Sequence, residues 1–437
     1  MSEMRTVRGM RDLMGPEILV RNYLLDLAEG IFQLYGYEPL DSPVMELWET
    51  LSAKGGEEVE AETFKFKDKG DRDVGLRFDL TVPLARIVAS NPHLPKPFRR
   101  YAIGKAWRYD RPQAGRYREF MQADVDVIGS LSPSADAEVV LVALEFFREV
   151  LGEDYVVRVN NRKVLRGLTE KAGIEESRSF ECFRAIDRLD RIGRAGVLEE
   201  LKTRGFKSDQ SEFLVDAIDL KGEGSKILPE FRELLSGSSI GTEGVEELEY
   251  MAEIFAETTE EGEVEFDMSL ARGLDYYTGP VFEAAWLGEP KVGAISGGGR
   301  YDKLVERFGG PATAATGISI GIDRIIDIAL ARGLAANLEG GIDVYIAPIK
   351  RPMVKFAMKI RSELVQAGAS CDIDLMERPL KKLLEIADSR KAKLVVIVGQ
   401  KDLEKGSVSV RDMATKETSQ VAIDQITYYV MDKTLEE

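Results

Sequence analysis

The chain has a single histidine and two cysteines in 437 residues, and those scarcities remove whole classes of chemistry. His93 lies between prolines in Asn91-Pro92-His93-Leu94-Pro95, which reads as a loop. A Ser-His-Asp or Cys-His mechanism would depend on that one imidazole, and a multi-histidine metal site is excluded. Cys182 and Cys371 are far apart and have no CxxC neighbour, so neither a disulfide framework nor a cysteine zinc site is expected. No GxxxxGKS, GxxxxGKT or GxGxxG sequence occurs, so a bound nucleotide would be held by neither a P-loop nor a Rossmann turn. No apolar run approaches the length that crosses a bilayer, and Met1–Arg11 is polar without a signal-peptide core. A cytoplasmic protein with no membrane partner is the expectation.

Positive charge is also short. Against 76 Asp and Glu there are 59 Lys and Arg, a net charge of −17, and a uniformly acidic surface repels phosphate. The deficit is uneven, however. Lys96–Arg118 carries eight basic residues against one acid, Asp110, and Gly341–Glu437 has 16 basic against 15 acidic residues. Local patches for phosphates therefore remain open. With 44% hydrophobic and 8% aromatic residues, the chain has enough apolar material for two or three domains with their own cores.

Periodicity divides the chain. Val20, Leu24, Leu27, Ile31 and Leu34 recur at helical spacing, with Pro16 suited to the first turn and Gly36 to the stop. Ser132-Pro133 opens a second helix running to about Leu151. Period-two alternation predicts strands over Leu76–Thr81, Glu119–Val127 and Glu263–Leu270. Separated strands with few intervening helices predict a mostly antiparallel sheet in an α+β domain. About Thr169 to Glu261 is charged and helical in pattern, an inserted module. After Gly340-Gly341, strands Asp343–Ile349, Ala369–Ile373 and Lys393–Val398 alternate with helices Pro352–Ala367 and Pro379–Lys391. That βαβαβ pattern predicts a separate three-layer α/β domain.

Four segments hold the residues suited to chemistry. Trp107–Phe120 reads as two strands joined by a loop, and the strand after it turns Gln122, Asp124 and Asp126 to one side; the arginines ahead of them supply charge. Leu270–Ala284 sets Arg272 before a glycine and pairs Tyr276 with Tyr277, an aromatic wall with hydroxyl handles. Ser296–Asp302 follows Val292–Ile295 with three glycines, which fit either close approach to a ligand or a tight turn. Thr316–Arg324 is a short strand entering a helix with Arg324 in its first turn. The helix dipole disfavours a cation there, so an anionic ligand beside it is expected.

In this order the four segments resemble the motifs of the class II histidyl-tRNA synthetases, and the likeness covers nearly the whole chain. Arg8-Gly9-Met10-Arg11-Asp12, the next helix and the strand toward Pro43 are similar to motif 1, which builds a dimer interface in that family. Trp107–Phe120 is similar to motif 2 and Gly317–Arg324 to motif 3. Ala271–Glu283 and Gly297–Asp302 resemble the two histidine-specific signatures, which narrow class II to one amino acid. The resemblance implies an antiparallel-sheet catalytic core at 1–168 and 262–334, a helical insertion at 169–261 and an anticodon-binding domain at 341–437. It also implies a homodimer acting on L-histidine, ATP with Mg²⁺, and tRNA(His).

Site roles follow from the same resemblance. Arg108 meets the α-phosphate, Arg324 the γ-phosphate, and Arg116 also serves ATP. Arg272 lies beside the α-phosphate where other class II enzymes place a metal, so Arg272 and Arg108 are the catalytic pair and no protein side chain is assigned to a metal. Asp79, Thr81 and Gln122 take the α-amino group, while Asp126, Tyr277 and Tyr301 take the imidazole; Tyr276 and Arg272 join the histidine site. Arg111, Gln113 and Arg118 lie near the acceptor end of tRNA. Asp110 and Asp79 stand where the family often has Glu, which keeps the charge and shortens the reach. The chemistry tolerates the missing histidines, because the nucleophile is the substrate's own carboxylate and needs positioning and charge neutralisation, not a base. A non-enzymatic regulatory relative would typically erode the arginines and lose the C-terminal domain, and an accessory subunit would not need the imidazole pocket.

Overall fold

A computed structural model describes residues 4–53, 57–111, 115–271, 276–289, 292–338 and 340–435. The chain forms two compact units, Met1–Ala335 and Ala336–Glu437. In the first, the strands in chain order are β1 (Glu38–Pro39), β2 (Met45–Leu47), β3 (Lys65–Lys67), β4 (Asp73–Leu76), β5 (Phe98–Trp107), β6 (Glu119–Ile128), β7 (Tyr155–Asn161), β8 (Lys221–Gly222), β9 (Val264–Asp267), β10 (Pro280–Trp286), β11 (Ala294–Arg300) and β12 (Ala315–Gly321). Nine of them make one sheet in the order β1-β5-β6-β12-β11-β10-β7-β9-β8, and β2-β4-β3 form a small second sheet. The run from β5 to β7 is antiparallel throughout, while β1–β5 and β7–β9 are parallel.

Alternation along β6 separates two environments. Ala123, Val125 and Val127 are buried with Ile318 and Ile320 of β12. Helix Pro16–Leu34 packs against both Pro133–Leu151 and Ile322–Ala331, and all three pack against the sheet. The intervening residues of β6 are polar and take the opposite face.

Two expected strands are different. Alternation over Leu76–Thr81 predicts a strand, but β4 stops at Leu76 and Thr81 begins the helix Thr81–Ser90. Asp79 Oδ1 accepts the amide of Val82 at 2.9 Å and Pro83 occupies the first turn, so a helix start overrides the pattern. Asp79 and Thr81 therefore share no strand face. The alternation of Glu263–Leu270 gives only β9, because the Asp267 carboxylate accepts from the Ser269 amide and hydroxyl and turns the chain.

The segment after β7 is helical, with helices at Arg162–Lys171, Ser179–Ile186, Leu189–Thr203, Ser208–Ile218, Gly224–Leu234 and Ser239–Thr258. It also returns β8 to the edge of the large sheet beside β9. Helices Arg162–Lys171 and Ser239–Thr258 approach closely at Gly167 and Gly241, where a β-carbon on Gly167 would meet the Gly241 Cα at 2.5 Å.

The second unit has five strands, β13 (Val344–Pro348), β14 (Cys371–Ile373), β15 (Leu394–Val398), β16 (Ser407–Asp412) and β17 (Thr418–Ala422), in the order β14-β13-β15-β16-β17. The first three are parallel, as the βαβαβ pattern predicts; β16 and β17 add an antiparallel edge. Val344 and Ile346 pack with Ile360, Leu364 and Val430 on one face, and Tyr345 and Val395 pack with Leu383 and Ala387 on the other. Those two cores make three layers.

Candidate active site

The polar face of the large sheet is the floor of a 460 Å³ cavity. Strand register sets out the floor in rows: Arg100–Asp126–Gly317–Gly299–Val281, then Ala102–Asp124–Ser319–Gly297–Glu283. Partners in a row share a face. The glycine run is thus not a turn closing Val292–Ile295, as one reading of the sequence has it. It lies inside β11, between β10 and β12. The glycine on β12 has an evident use, since a β-carbon on Gly317 would collide with the Asp126 carboxylate.

At one end of the floor, Asp126 forms an ion pair with Arg100 at 2.6 Å, and the Tyr301 hydroxyl donates to its other oxygen. Arg100 is fully buried and Tyr301 is 2% exposed. Burial pushes the Asp126 carboxyl above the ordinary range, with Arg100 and Tyr301 opposing. Desolvation also raises Tyr276 and Tyr301 well above the usual phenol range, Asp126 adding to the effect at Tyr301, so both remain donors at neutral pH. The Tyr276 ring lies 4.6 Å from that of Tyr277 and 6.1 Å, edge-on, from that of Tyr301. The result is an aromatic wall beside a carboxylate, with phenol donors and an acid acceptor converging.

Next along the floor, Gln122 Nε2 donates to the Ser319 hydroxyl at 2.5 Å while its buried Oε1 has no partner. Asp79, just before the helix Thr81–Ser90, and Thr81, its first residue, line the same cavity. At the far end Arg108, Arg116 and Arg324 line it. Arg108 Nε donates to the Phe78 carbonyl at 3.0 Å, and its guanidinium lies 5.2 Å from the centre of the Phe120 ring. Arg324, in the first turn of Ile322–Ala331, donates to the carbonyls of Gly115 at 3.2 Å and of Ala294. Arg116 pairs with Asp110 at 2.5 Å, so the shorter acid still reaches an arginine. In that first turn Asp323 accepts the Met121 amide at 2.6 Å and Arg11 at 3.0 Å, which ties the N-terminal segment to β6.

Ten of the expected site residues therefore share one cavity: Asp79, Thr81, Arg108, Arg116, Gln122, Asp126, Tyr276, Tyr277, Tyr301 and Arg324. Arg111 and Arg118 are not on its wall. Arg111 is exposed, while Arg118 stacks 3.9 Å from the Tyr109 ring centre and donates to the Asp110 carbonyl. Arg272 and Gln113 lie outside the described residues. The basic run is partly spent on the chain's own acids, with buried Arg100 on Asp126, half-buried Arg99 on Glu138 and exposed Lys105 on Glu119. Among the cavity or floor residues with no role assigned from the sequence are Arg100, Asp124, Asp187, Glu283 and Ser319. Asp124 was visible on the alternating face of β6, but nothing local marks Arg100 as the buried counterion. Among the described residues no group of three or more His, Cys, Asp or Glu side chains could hold a metal ion.

Comparison with known proteins agrees with this geometry. A family model described as histidyl-tRNA synthetase matches residues 9–325, and one described as an anticodon-binding domain matches 343–433. The histidine–tRNA ligase of Aeropyrum pernix is 39% identical over 425 residues, covering 96% of each chain. That of Pyrococcus furiosus is 36% identical over 425 residues, covering 97% of this chain and 98% of that one. The crystal structure of histidyl-tRNA synthetase from Nostoc superposes with a TM-score of 0.82 at 29% identity, covering 99% of both chains. With a pocket of this form beneath both sequence signatures and a family match across the first unit, the chain belongs to the histidyl-tRNA synthetase family.

Proposed function

We propose that this protein ligates histidine to tRNA in two steps. In the first, a carboxylate oxygen of L-histidine attacks the α-phosphorus of ATP, the bond to the departing pyrophosphate breaks, and histidyl-adenylate forms. In the second, the terminal ribose hydroxyl of tRNA(His) attacks the acyl carbon and AMP leaves. ATP use follows from the family. Mg²⁺ enters with ATP as part of the substrate complex.

In this reading Arg108 neutralises the α-phosphate, Arg324 the γ-phosphate, and Arg116 adds charge beside them. Arg272 assists at the α-phosphate, a role that rests on the family resemblance. Asp79, Thr81 and Gln122 hold the α-ammonium group. Asp126, Tyr277 and Tyr301 satisfy the imidazole edges, and Tyr276 closes the wall. A pocket of buried polar groups rejects analogues that leave them unpaired. Arg111, Gln113 and Arg118 lie toward the tRNA acceptor end, and the unit matching 343–433 takes the anticodon. The enzyme works as a cytoplasmic homodimer. No described helix is long and apolar enough to cross a membrane.

One observation carries the proposal: arginines from β5–β6 and from the helix after β12 share a single cavity with Gln122, Asp126 and Tyr301. The test is pyrophosphate exchange into ATP by the purified protein with each amino acid in turn. Exchange with histidine alone is expected. Absence of exchange, or equal exchange with other amino acids, overturns the reading.

A further inference from the structure

The amide of Gln122 fills the same volume in either orientation, but it offers a ligand opposite chemistry. Its nitrogen is spent on Ser319 at 2.5 Å, and its buried oxygen is without a partner on the cavity wall. Ser319 stands opposite Asp124 in the β12–β6 register, which sets its hydroxyl beside the Asp124 carboxyl, where it opposes the upward shift. Asp124 is 2% exposed, and its Oδ1 has no partner. A hydroxyl has one proton to give. Given to an ionised Asp124, it leaves the Ser319 oxygen as an acceptor, which the NH₂ of Gln122 satisfies. The Gln122 carbonyl then has to face the cavity.

We propose that Asp124 and Ser319 are positioning residues for histidine recognition, holding the Gln122 carbonyl toward the α-ammonium group of the substrate. The inference rests on the ligase reading, in which Gln122 takes that group. The opposite polarity opens when Asp124 takes up a proton. With a proton on Asp124, the acid donates to Ser319, the hydroxyl turns to Gln122, and the amide rotates to present NH₂ to the cavity. Two sets of N–H groups then oppose each other and binding weakens. The charged and titratable groups around Asp124 are Arg100 from β5, Asp126 from β6, Asp79 and Arg77 from the segment after β4, and Tyr301 after β11. Burial outweighs Arg100, Asp126 and Asp79 add to it, and Asp124 is pushed up to about 7. The relay therefore changes polarity within the neutral range, and its favourable form is the high-pH one.

The experiment compares histidine with imidazolepropionate, which is histidine lacking its α-amino group. KM for histidine is measured by pyrophosphate exchange, and the analogue is measured as a competitive inhibitor. In Ser319→Ala the KM for histidine rises roughly tenfold while inhibition by the analogue stays within about twofold, because only the α-ammonium contact is lost. Ser319→Thr, which keeps the hydroxyl, stays within about threefold of the parent for both ligands. Lowering the pH from about 8 to about 6 raises the parent's KM for histidine by more than the titration of the ligand's own imidazole accounts for. That excess disappears in Asp124→Asn. Equal losses for both ligands in Ser319→Ala, with an altered melting temperature, would mean a structural role and overturn the inference. So would an active parent matched by Ser319→Ala, or a pH excess that persists in Asp124→Asn. A parent without histidine-dependent exchange overturns the ligase reading itself, and this inference with it.

Discussion

Tyr301 and Asp126 show how much of the pocket depends on single atoms. The phenol donates to one oxygen of a carboxylate whose other oxygen meets Arg100 at 2.6 Å, all inside the protein. Tyr301→Phe keeps the ring but leaves that oxygen unpaired and pushes the acid further toward its neutral form. KM for histidine should rise roughly 10- to 100-fold, with a smaller fall in kcat, as expected for a buried acceptor losing its donor. Steady-state exchange kinetics measures this. Arg272 makes a different prediction, because in its proposed place it would act on charge that develops during reaction. Arg272→Ala should abolish exchange while circular dichroism and melting remain those of a folded protein. Near-normal exchange in that variant would remove Arg272 from the phosphate site.

Whole elements are tied together by paired charge. Arg300 at the end of β11 pairs with Asp136 in the first turn of Pro133–Leu151 at 2.6 Å, which fixes the strand immediately before Tyr301. Glu263, just before β9, accepts Arg148 at 2.6 Å, the Tyr155 hydroxyl at 2.5 Å and the Glu260 amide at 2.8 Å. Burial alone would raise the Glu263 carboxyl, but Arg148, Tyr155 and the amide outweigh it and bring it down to about 2. A depressed carboxylate stabilises the fold above its unfolded value of 4.5, and that contribution is lost as pH falls toward about 2. Glu263→Gln should therefore be less stable than the parent at neutral pH, with the difference closing across that acidic window in urea titrations. A gap that does not change with pH would mean that the clamp works by packing instead of charge.

At the level of the molecule, the two units have separate sheets and cores. The second is closed on both faces of its sheet by its own helices, with Ile346, Leu394 and Val410 at most 3% exposed. Residues 340–437 produced alone should fold and unfold cooperatively, since about a hundred residues with a core on each sheet face are enough for an independent domain. Non-cooperative melting of that fragment would show that it depends on the rest of the chain.

Much of this was written in local sequence. Helix periodicity with Pro16 and Ser132-Pro133 located the long helices, alternation located β6, and the βαβαβ spacing located the parallel core of the second unit. These are short-range regularities, set by how side chains alternate or recur on a single element. Segments whose fate depended on competing signals were misread: Leu76–Thr81 alternates like a strand, yet Asp79 and Pro83 start a helix there. The glycines of β11 carried no local mark of a strand, because their use depends on what approaches them in the fold: the Gly317 backbone at Gly298, and the Pro280 carbonyl and Tyr277 ring at Gly299. Arg100 as the counterion of Asp126, and Ser319 between Gln122 and Asp124, come from cross-strand register. A sequence fixes which face a residue takes along its own strand, whereas partners across strands exist only once the sheet has chosen its order.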